Sequence, residues 1–225
     1  NDLTLALGSG EVTLHDLVSA YIPFANGGLR PRSRTIIRVF DRNRRTWTET
    51  PLSISAVLSP ASAFVTTQML KDVLTYGTAK TLKSFVVKRP AAGKTGTTDD
   101  HRDAWFIGYT PQIIAGVWVG YDKPRPGGTG FTGGAVCAPV WGRFMRGALA
   151  GKPVADFSKP DKVIGVMIDP ETNELATPLC PAQREEFYIT NTQPTKPCGK
   201  HGAPDREPAP VPQPQPPPMQ EVEIH

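Results

Sequence analysis

Between Ala92 and Gly120 the chain runs through three strand-like segments separated by two short breaks, and this stretch limits the possible folds more than any other. Ala92–Thr98 ends in the polar turn Asp99-Asp100-His101-Arg102, Ala104–Tyr109 follows, and Thr110-Pro111 separates it from Ile113–Gly120. Segments of this length are strands, and breaks this short join antiparallel neighbours. Their near-continuous apolar character means that both faces are covered. The expectation is an antiparallel sheet packed under helices.

The flanking sequence supplies the helices. Thr13, with Asp16 at the reach-back position of a capping box, opens a helix in which Leu14, Leu17, Val18, Tyr21, Ile22 and Ala25 recur at helical spacing before Gly27-Gly28 ends it. Pro23 removes one backbone donor within it. Thr35–Phe40, the polar turn 41–45 and Thr46–Thr48 read as a hairpin. A second helix is predicted from Pro60 to Tyr76, burying Ala61, Phe64, Val65, Gln68, Met69, Val73 and Leu74, with Gly77 as a left-handed cap. Glycines at 127, 128, 130, 133 and 134 make a loop before a last helix, Pro139–Ala150. Beyond Gly151 the pattern is short, irregular and proline-punctuated to about Ala203. The fold class is α+β, a whole domain or part of one.

Composition sets the outer limits. The 225 residues are 39% hydrophobic and 8% aromatic, enough for one packed core. No run of about 18 apolar residues exists, so no transmembrane helix is expected within these residues. Eight of the 24 prolines lie in 204–218, a stretch read as a solvated polyproline or disordered tail in which Pro-x-x-Pro also fits an SH3-type ligand. The formal charge of +4 divides into −3 on residues 204–225 and +7 on the rest, too little for a nucleic-acid footprint, and no nucleic-acid partner is expected. The start, Asn1-Asp2-Leu3-Thr4, is neither an initiator Met nor a signal peptide and reads as a cut through a longer polypeptide.

Gly93-Lys94-Thr95-Gly96-Thr97-Thr98 is the sharpest chemical feature. A phosphate-binding P-loop needs a glycine five residues before Gly93, where Lys88 stands, and a helix after it, where the pattern is strand-like. Acyl transfer fits better. On an edge strand, Thr95 and Thr97 project the same way and present two hydroxyls to a carboxylate lying along the strand. The Thr97 N–H can form half of an oxyanion hole, with Lys94 as a nearby positive charge. Lys-Thr-Gly is one of three signatures of penicillin-recognising serine enzymes.

With its surroundings, the motif resembles the transpeptidase domain of class A penicillin-binding proteins, the bifunctional peptidoglycan synthases. The matching stretches are Ala6–Thr13, Ala20-Tyr21, Phe24–Gly28, Gly77-Thr78-Ala79, Ala92–Thr98, Asp103–Pro111 and Val117–Asp122. Phe187–His201 is similar to a C-terminal extension seen in some members. The resemblance implies the C-terminal half of a penicillin-recognising, β-lactamase-like fold, and an enzyme that cross-links peptidoglycan stem peptides through a serine acyl-enzyme and is acylated by β-lactams. It assigns Lys94 and Thr97 to catalysis and Thr95, Gly96, Thr97 and Thr98 to substrate or β-lactam binding.

No Lys in the chain has Ser three residues before it, and Ser-x-Asn is absent, so the nucleophile and proton relay of that family are missing. The expected partner is therefore an N-terminal half carrying Ser-x-x-Lys and Ser-x-Asn. Other expectations are a periplasmic or extracytoplasmic setting, membrane attachment only through a segment outside these residues, and a glycosyltransferase domain elsewhere in the parent. The boundaries read as 1–155 for the transpeptidase half, 156–203 for the extension and 204–225 for the tail. A DD-carboxypeptidase of the same fold and a non-catalytic interaction module are the rival readings.

Four other groups have bland explanations. His101 and Asp103 invite a Ser-His-Asp reading, but a turn histidine and a turn-fixing aspartate account for them. Trp105, Phe106, Tyr109 and Trp118 read as buried strand aromatics rather than a sugar platform. Seven Arg between Arg30 and Arg45 read as a solvated hairpin face rather than an anion site. Cys180 and Cys198 are candidates for a disulfide, with Cys137 left over as a buried thiol. With His201 the pair offers three zinc-type ligands, but no fourth is evident, and neither a metal nor any other cofactor is expected.

Overall fold

Thr13 opens the first helix, α1 (Leu14–Ala25), as its spacing predicts. Its hydroxyl accepts the Asp16 amide at 3.0 Å and donates to the Asp16 carboxylate at 2.7 Å. Gly28, with φ of 90°, lies where a Cβ would stand 2.1 Å from the Leu58 carbonyl oxygen, so both its backbone angle and its surroundings require glycine. The computed structural model describes residue 8, residues 10–86 and residues 88–201, and of Val86 only the backbone. The proline-rich run and the first residues of the family-like stretch at 6–13 lie outside the described residues.

β1 (Leu29–Pro31) leads into the predicted hairpin, β2 (Arg38–Phe40) with β3 (Thr46–Glu49), and β4 (Ile54–Ala56) returns antiparallel to β1. The hairpin turn closes on the Asp41 carboxylate, which accepts the Asn43 and Arg45 amides at 2.8 Å each. Arg38 grips Glu49 across the strands with two hydrogen bonds, at 2.9 and 3.1 Å.

Ser59 caps α2 (Pro60–Thr75), which buries Ala61, Phe64 and Leu74 as expected. Two readings of this helix are corrected. Met69 is 66% exposed, and Thr67 takes a buried position instead. The Thr67 hydroxyl donates to the Phe24 carbonyl at 3.0 Å, so the Tyr109 hydroxyl, also at 3.0 Å, is the donor in the second bond. Gly77 is not left-handed; its amide continues onto the Asp72 carbonyl at 3.0 Å, and a Cβ there would stand 2.8 Å from the Val73 Cα. Close packing, not backbone angle, selects glycine at 77.

After α3 (Lys83–Val86), the sheet forms as read: β5 (Ala92–Thr97), β6 (Ala104–Tyr109) and β7 (Ile114–Val119), in that order and antiparallel throughout. Paired residues share a face. On one face Ala104, Phe106, Val117 and Val119 pack with Cys137, Trp141 and Met145 from α4 (Ala138–Ala148) and the turn before it. The Trp141 ring meets Phe85 and Phe106 edge-on at 5.3 Å, and its N–H donates to the Gly108 carbonyl at 3.0 Å. On the other face α1 lies so close that a Cβ at Gly116 would come within 2.5 Å of Val18. The sheet is sandwiched between helices, as its apolar character demanded.

The irregular reading after Gly151 is corrected in part, since β8 (Val163–Ile168) and β9 (Arg184–Ile189) pair there. The chain divides into two compact units. The described residues to Gly165 together with Phe187–Gln193 form the first. In it Val163, Phe187 and Ile189 join Phe64 and Phe157 in a second apolar cluster. Val166–Glu186 with the described residues from Pro194 onward form the second, tied by backbone bonds of Leu175 to Lys196 and of Cys198 to Leu175.

Candidate functional site

The Lys-Thr-Gly residues all lie on β5, which among the described residues is an edge of its sheet. The hydrogen-bond alternation fixes which way its backbone points. The Thr98 amide donates to the Asp103 carbonyl at 3.1 Å. In an antiparallel ladder the bonded positions recur every second residue, so Gly96 and Lys94 bond to β6 opposite Trp105 and Ile107. The amides and carbonyls of Thr95 and Thr97 therefore face the open edge. The exposed Lys94 ammonium curls onto one of these, the Thr95 carbonyl, at 2.8 Å.

The side chains alternate in the same register. Thr95 and Thr97 sit on the face that carries Phe106 and Ala104, at its rim, and each hydroxyl has one protein partner. Thr95 Oγ1 is 2.6 Å from Thr78 Oγ1, and Thr97 Oγ1 accepts the Gly133 amide at 3.3 Å. Each hydroxyl keeps further hydrogen-bonding capacity. The glycine-rich segment makes this approach feasible. A Cβ on Gly133 would stand 2.1 Å from the Trp105 carbonyl oxygen, and one on Gly134 would stand 2.0 Å from that of Thr78. Gly96 faces the other way, where a Cβ would press on Trp105 at 3.1 Å.

Thr98 is placed differently from its neighbours. Its hydroxyl accepts the Asp103 amide at 2.8 Å and reaches the Asp103 carboxylate at 3.4 Å, so it serves the turn that ends the strand. The second Asp103 oxygen accepts the Trp118 indole N–H at 2.9 Å. Asp103 is thus a turn-fixing residue, as read. His101, left-handed at φ 51°, has Nδ1 3.2 Å from the Phe131 carbonyl, and its own carbonyl accepts the Gly127 amide at 2.8 Å. It ties the glycine-rich loop to the turn, and its ring is engaged with backbone. Of the four aromatics, Phe106 and Tyr109 are buried, whereas Trp118 is 40% exposed.

Thr78 is the site residue that sequence reasoning missed. Gly77-Thr78-Ala79 matched the family pattern, yet nothing in that triplet indicated that its hydroxyl would meet Thr95 across 17 residues. The β5 wall offers an ammonium, two partly engaged hydroxyls and open-edge amides. Such a wall suits an extended peptide bearing a carboxylate.

Residues 1–146 match the family model of the penicillin-binding protein transpeptidase domain, and residues 159–203 match that of the penicillin-binding protein 1A C-terminal domain. The chain belongs to the penicillin-binding protein transpeptidase family. Penicillin-binding protein 1A of Neisseria lactamica is 36% identical over 167 residues, covering 72% of this chain and 21% of that protein. The Aquifex aeolicus protein of the same name is 37% identical over 195 residues, covering 87% of this chain and 26% of its own length. The chain thus spans about a fifth to a quarter of these relatives. The crystal structure of penicillin-binding protein 1A from Haemophilus influenzae superposes with a TM-score of 0.79 at 26% identity, over 87% of this chain and 34% of that one. Penicillin-binding protein A from Mycobacterium tuberculosis, solved as a ceftriaxone acyl-enzyme complex, gives 0.50 at 25% identity over 61% and 32%. The penicillin-recognising fold inferred from the motifs is therefore shown, and among the described residues no helix is long and apolar enough to cross a membrane.

One group of metal-ligating side chains occurs among the described residues. Asp169, Cys180, Cys198 and His201 of the second unit bring one ligand atom each to within 4.8 Å of the others. Cys180 and Cys198 are free thiols here rather than the expected disulfide, and the Cys198 sulfur lies 3.2 Å from the Asp169 carboxylate and 3.6 Å from the His201 imidazole.

Proposed function

We propose that this chain supplies the Lys-Thr-Gly wall of a peptidoglycan DD-transpeptidase, a periplasmic serine acyltransferase that β-lactams acylate. The reading is carried by the open edge of β5, where the amides and carbonyls of Thr95 and Thr97 face away from β6. A stem peptide ending in D-Ala-D-Ala would lie along that edge as an added strand. Thr95 and Thr97 hydroxyls would hold its terminal carboxylate, and the Lys94 charge would strengthen that grip. The Thr97 amide would donate to the scissile carbonyl oxygen as negative charge develops there. Gly96, lacking a side chain, would leave room for the substrate backbone. Thr98 would act indirectly, by fixing the strand end.

The nucleophilic Ser and its Lys, with the Ser-x-Asn relay, would come from an N-terminal half absent from these 225 residues. Their parent would also carry the membrane anchor and a glycosyltransferase domain. The ceftriaxone acyl-enzyme of the M. tuberculosis relative supports the acyl-enzyme step.

The test is an intact-mass measurement on this chain co-purified with the polypeptide bearing Ser-x-x-Lys, after incubation with benzylpenicillin. The expected result is an adduct on the partner polypeptide, none on this chain, and acylation slowed about 100-fold or more in Thr97→Pro, which deletes both the oxyanion-hole amide and the carboxylate-binding hydroxyl. Acylation proceeding equally well without this chain would overturn the proposal. Supplying a donor peptide ending in D-Ala-D-Ala, with and without an amine acceptor, then separates the two enzymatic readings, because only a transpeptidase joins donor to acceptor with release of D-Ala.

A further inference from the structure

The second unit has about 30 described residues and almost no apolar core. Four of its described residues are buried: Ile168, Asp169, Cys180 and Cys198. Three of these carry metal-binding groups, and the fourth such group, His201, has a side chain only 19% exposed. Small units of this kind generally need a disulfide or a metal to remain folded, and this one lacks the disulfide. A carboxylate with 2% side-chain exposure also needs a countercharge.

We propose that Asp169, Cys180, Cys198 and His201 form a structural Zn²⁺ site that holds the second unit together. The donor set is two thiolates, one imidazole and one carboxylate, the soft and borderline ligands that tetrahedral zinc takes. A zinc ion with bonds of about 2.0–2.3 Å puts its ligand atoms about 3.3–3.8 Å apart. The Cys198 sulfur lies 3.2 Å from the Asp169 oxygen and 3.6 Å from the His201 nitrogen, while Asp169 and His201 approach at 2.5 Å. Only small side-chain shifts separate this cluster from tetrahedral spacing.

The surroundings are those of a ligand shell. Backbone amides point at both sulfurs: Thr177 N–H donates to Cys180 Sγ at 3.2 Å and His201 N–H to Cys198 Sγ at 3.4 Å. Such bonds stabilise a thiolate and orient it. The free Asp169 oxygen accepts the Glu171 amide at 2.8 Å, which leaves the other oxygen to bind. His201 turns Nδ1 into the cluster and its Nε2 towards Glu171, 3.5 Å away, the carboxylate–histidine pairing that fixes a metal-binding tautomer. Glu174 holds the Cys198–His201 turn in place by accepting the Gly199 amide at 3.0 Å. The sequence showed three ligands; the missing one is Asp169, eleven residues before Cys180, placed by the return of the chain at the Ile168–Leu175 bridge.

The test uses the full chain, purified under reducing conditions without a metal-affinity step. Elemental analysis is expected to find one zinc per chain. Replacement by Co²⁺ should give the intense visible absorption of a tetrahedral ion together with a thiolate-to-cobalt charge-transfer band. Cys198→Ser and Asp169→Asn should lose the metal, and Cys137→Ser should keep it. Because a ligand variant could unfold the unit, Glu171→Gln gives a milder check: zinc affinity about 10–100-fold weaker with the metal still taken up. A protein without stoichiometric zinc, and lighter by two hydrogens when prepared without reductant, would overturn the proposal in favour of the disulfide. So would unchanged stoichiometry in a Cys180→Ser, Cys198→Ser double variant, or a weak octahedral cobalt spectrum. These readouts are independent of β-lactam acylation, so this proposal and that for β5 stand or fall separately.

Discussion

The two units of this chain solve the same problem with opposite materials. The first buries aromatic and aliphatic side chains between layers, with Phe106, Trp141 and Met145 wholly inaccessible at its centre. The second buries a carboxylate, two sulfurs and most of an imidazole, with one isoleucine for company. An apolar core grows stronger with volume and forgives exchange of one hydrocarbon for another. A polar cluster is cheap in residues but depends on every member, because a buried ligand without its partner costs more than it contributed. The first unit should therefore weaken by degrees, and the second should fail all at once. This contrast can be broken by experiment.

The largest effect expected in the first unit comes from Trp141→Ala. Removing the ring empties the space between Phe85 and Phe106 and takes away the indole hydrogen bond to the Gly108 carbonyl. A loss of about 3–5 kcal/mol is expected in denaturant titrations, with zinc content unchanged. Loss of bound metal in this variant would show that the two units do not stand on separate supports.

Gly133→Ala should cost less stability, about 1–3 kcal/mol, but more function. Its new methyl would collide with the Trp105 and Gly96 carbonyl oxygens, which belong to the ladder and cannot rotate away. The glycine segment must then lift off β5, taking its hydrogen bond to Thr97 with it. Slower penicillin acylation of the reconstituted enzyme is the readout. Acylation as fast as in the parent protein would remove Gly133 from the wall.

A smaller effect appears at high pH. Burial raises the Tyr109 hydroxyl above its ordinary value of 10.0. A group whose folded value is raised contributes stability that is whole below its unfolded value and is lost as pH climbs above it. The first unit should therefore weaken from about pH 10 upward. Tyr109→Phe should flatten that decline and lower neutral-pH stability by about 1 kcal/mol through its lost bond to Thr67. A decline of equal steepness in Tyr109→Phe would assign it to other groups.

The sequence disclosed these units unequally, for a physical reason. Apolar periodicity is a repeated signal, and the helices Leu14–Ala25 and Pro60–Thr75 and the three strands of the sheet emerge within a residue or two of their predicted bounds. The Lys-Thr-Gly wall was legible because a short motif and its strand coincide. Single long-range contacts carry no such redundancy. Thr78 against Thr95, Thr67 under Tyr109 and Asp169 beside Cys198 each join residues that no local pattern relates. Strands of three residues, such as Leu29–Pro31 and Ile54–Ala56, are likewise too short to show alternation. Met69 was misassigned because a helical stripe gives the direction of a face but not its width.

The three thiols offer the finest test, because they divide between the two supports. Cys137 is wholly inaccessible beside the sheet, its Sγ donates to the Ala104 carbonyl at 3.1 Å, and burial pushes its pKa up to about 11. At pH 8 it is both unionised and unreachable, so a thiol reagent should leave it untouched in the folded protein. Cys180 and Cys198, held by zinc, should also be silent at first and become reactive once a chelator removes the ion. The expected labelling is none in the native protein, two thiols after chelation and all three only in denaturant. All four tryptophans, at 47, 105, 118 and 141, belong to the first unit, so indole fluorescence should not change while the two thiols open. Labelling of Cys137 in step with the other two, or a fluorescence change on chelation, would mean that the metal supports the apolar core as well, and the distinction between the units would fall.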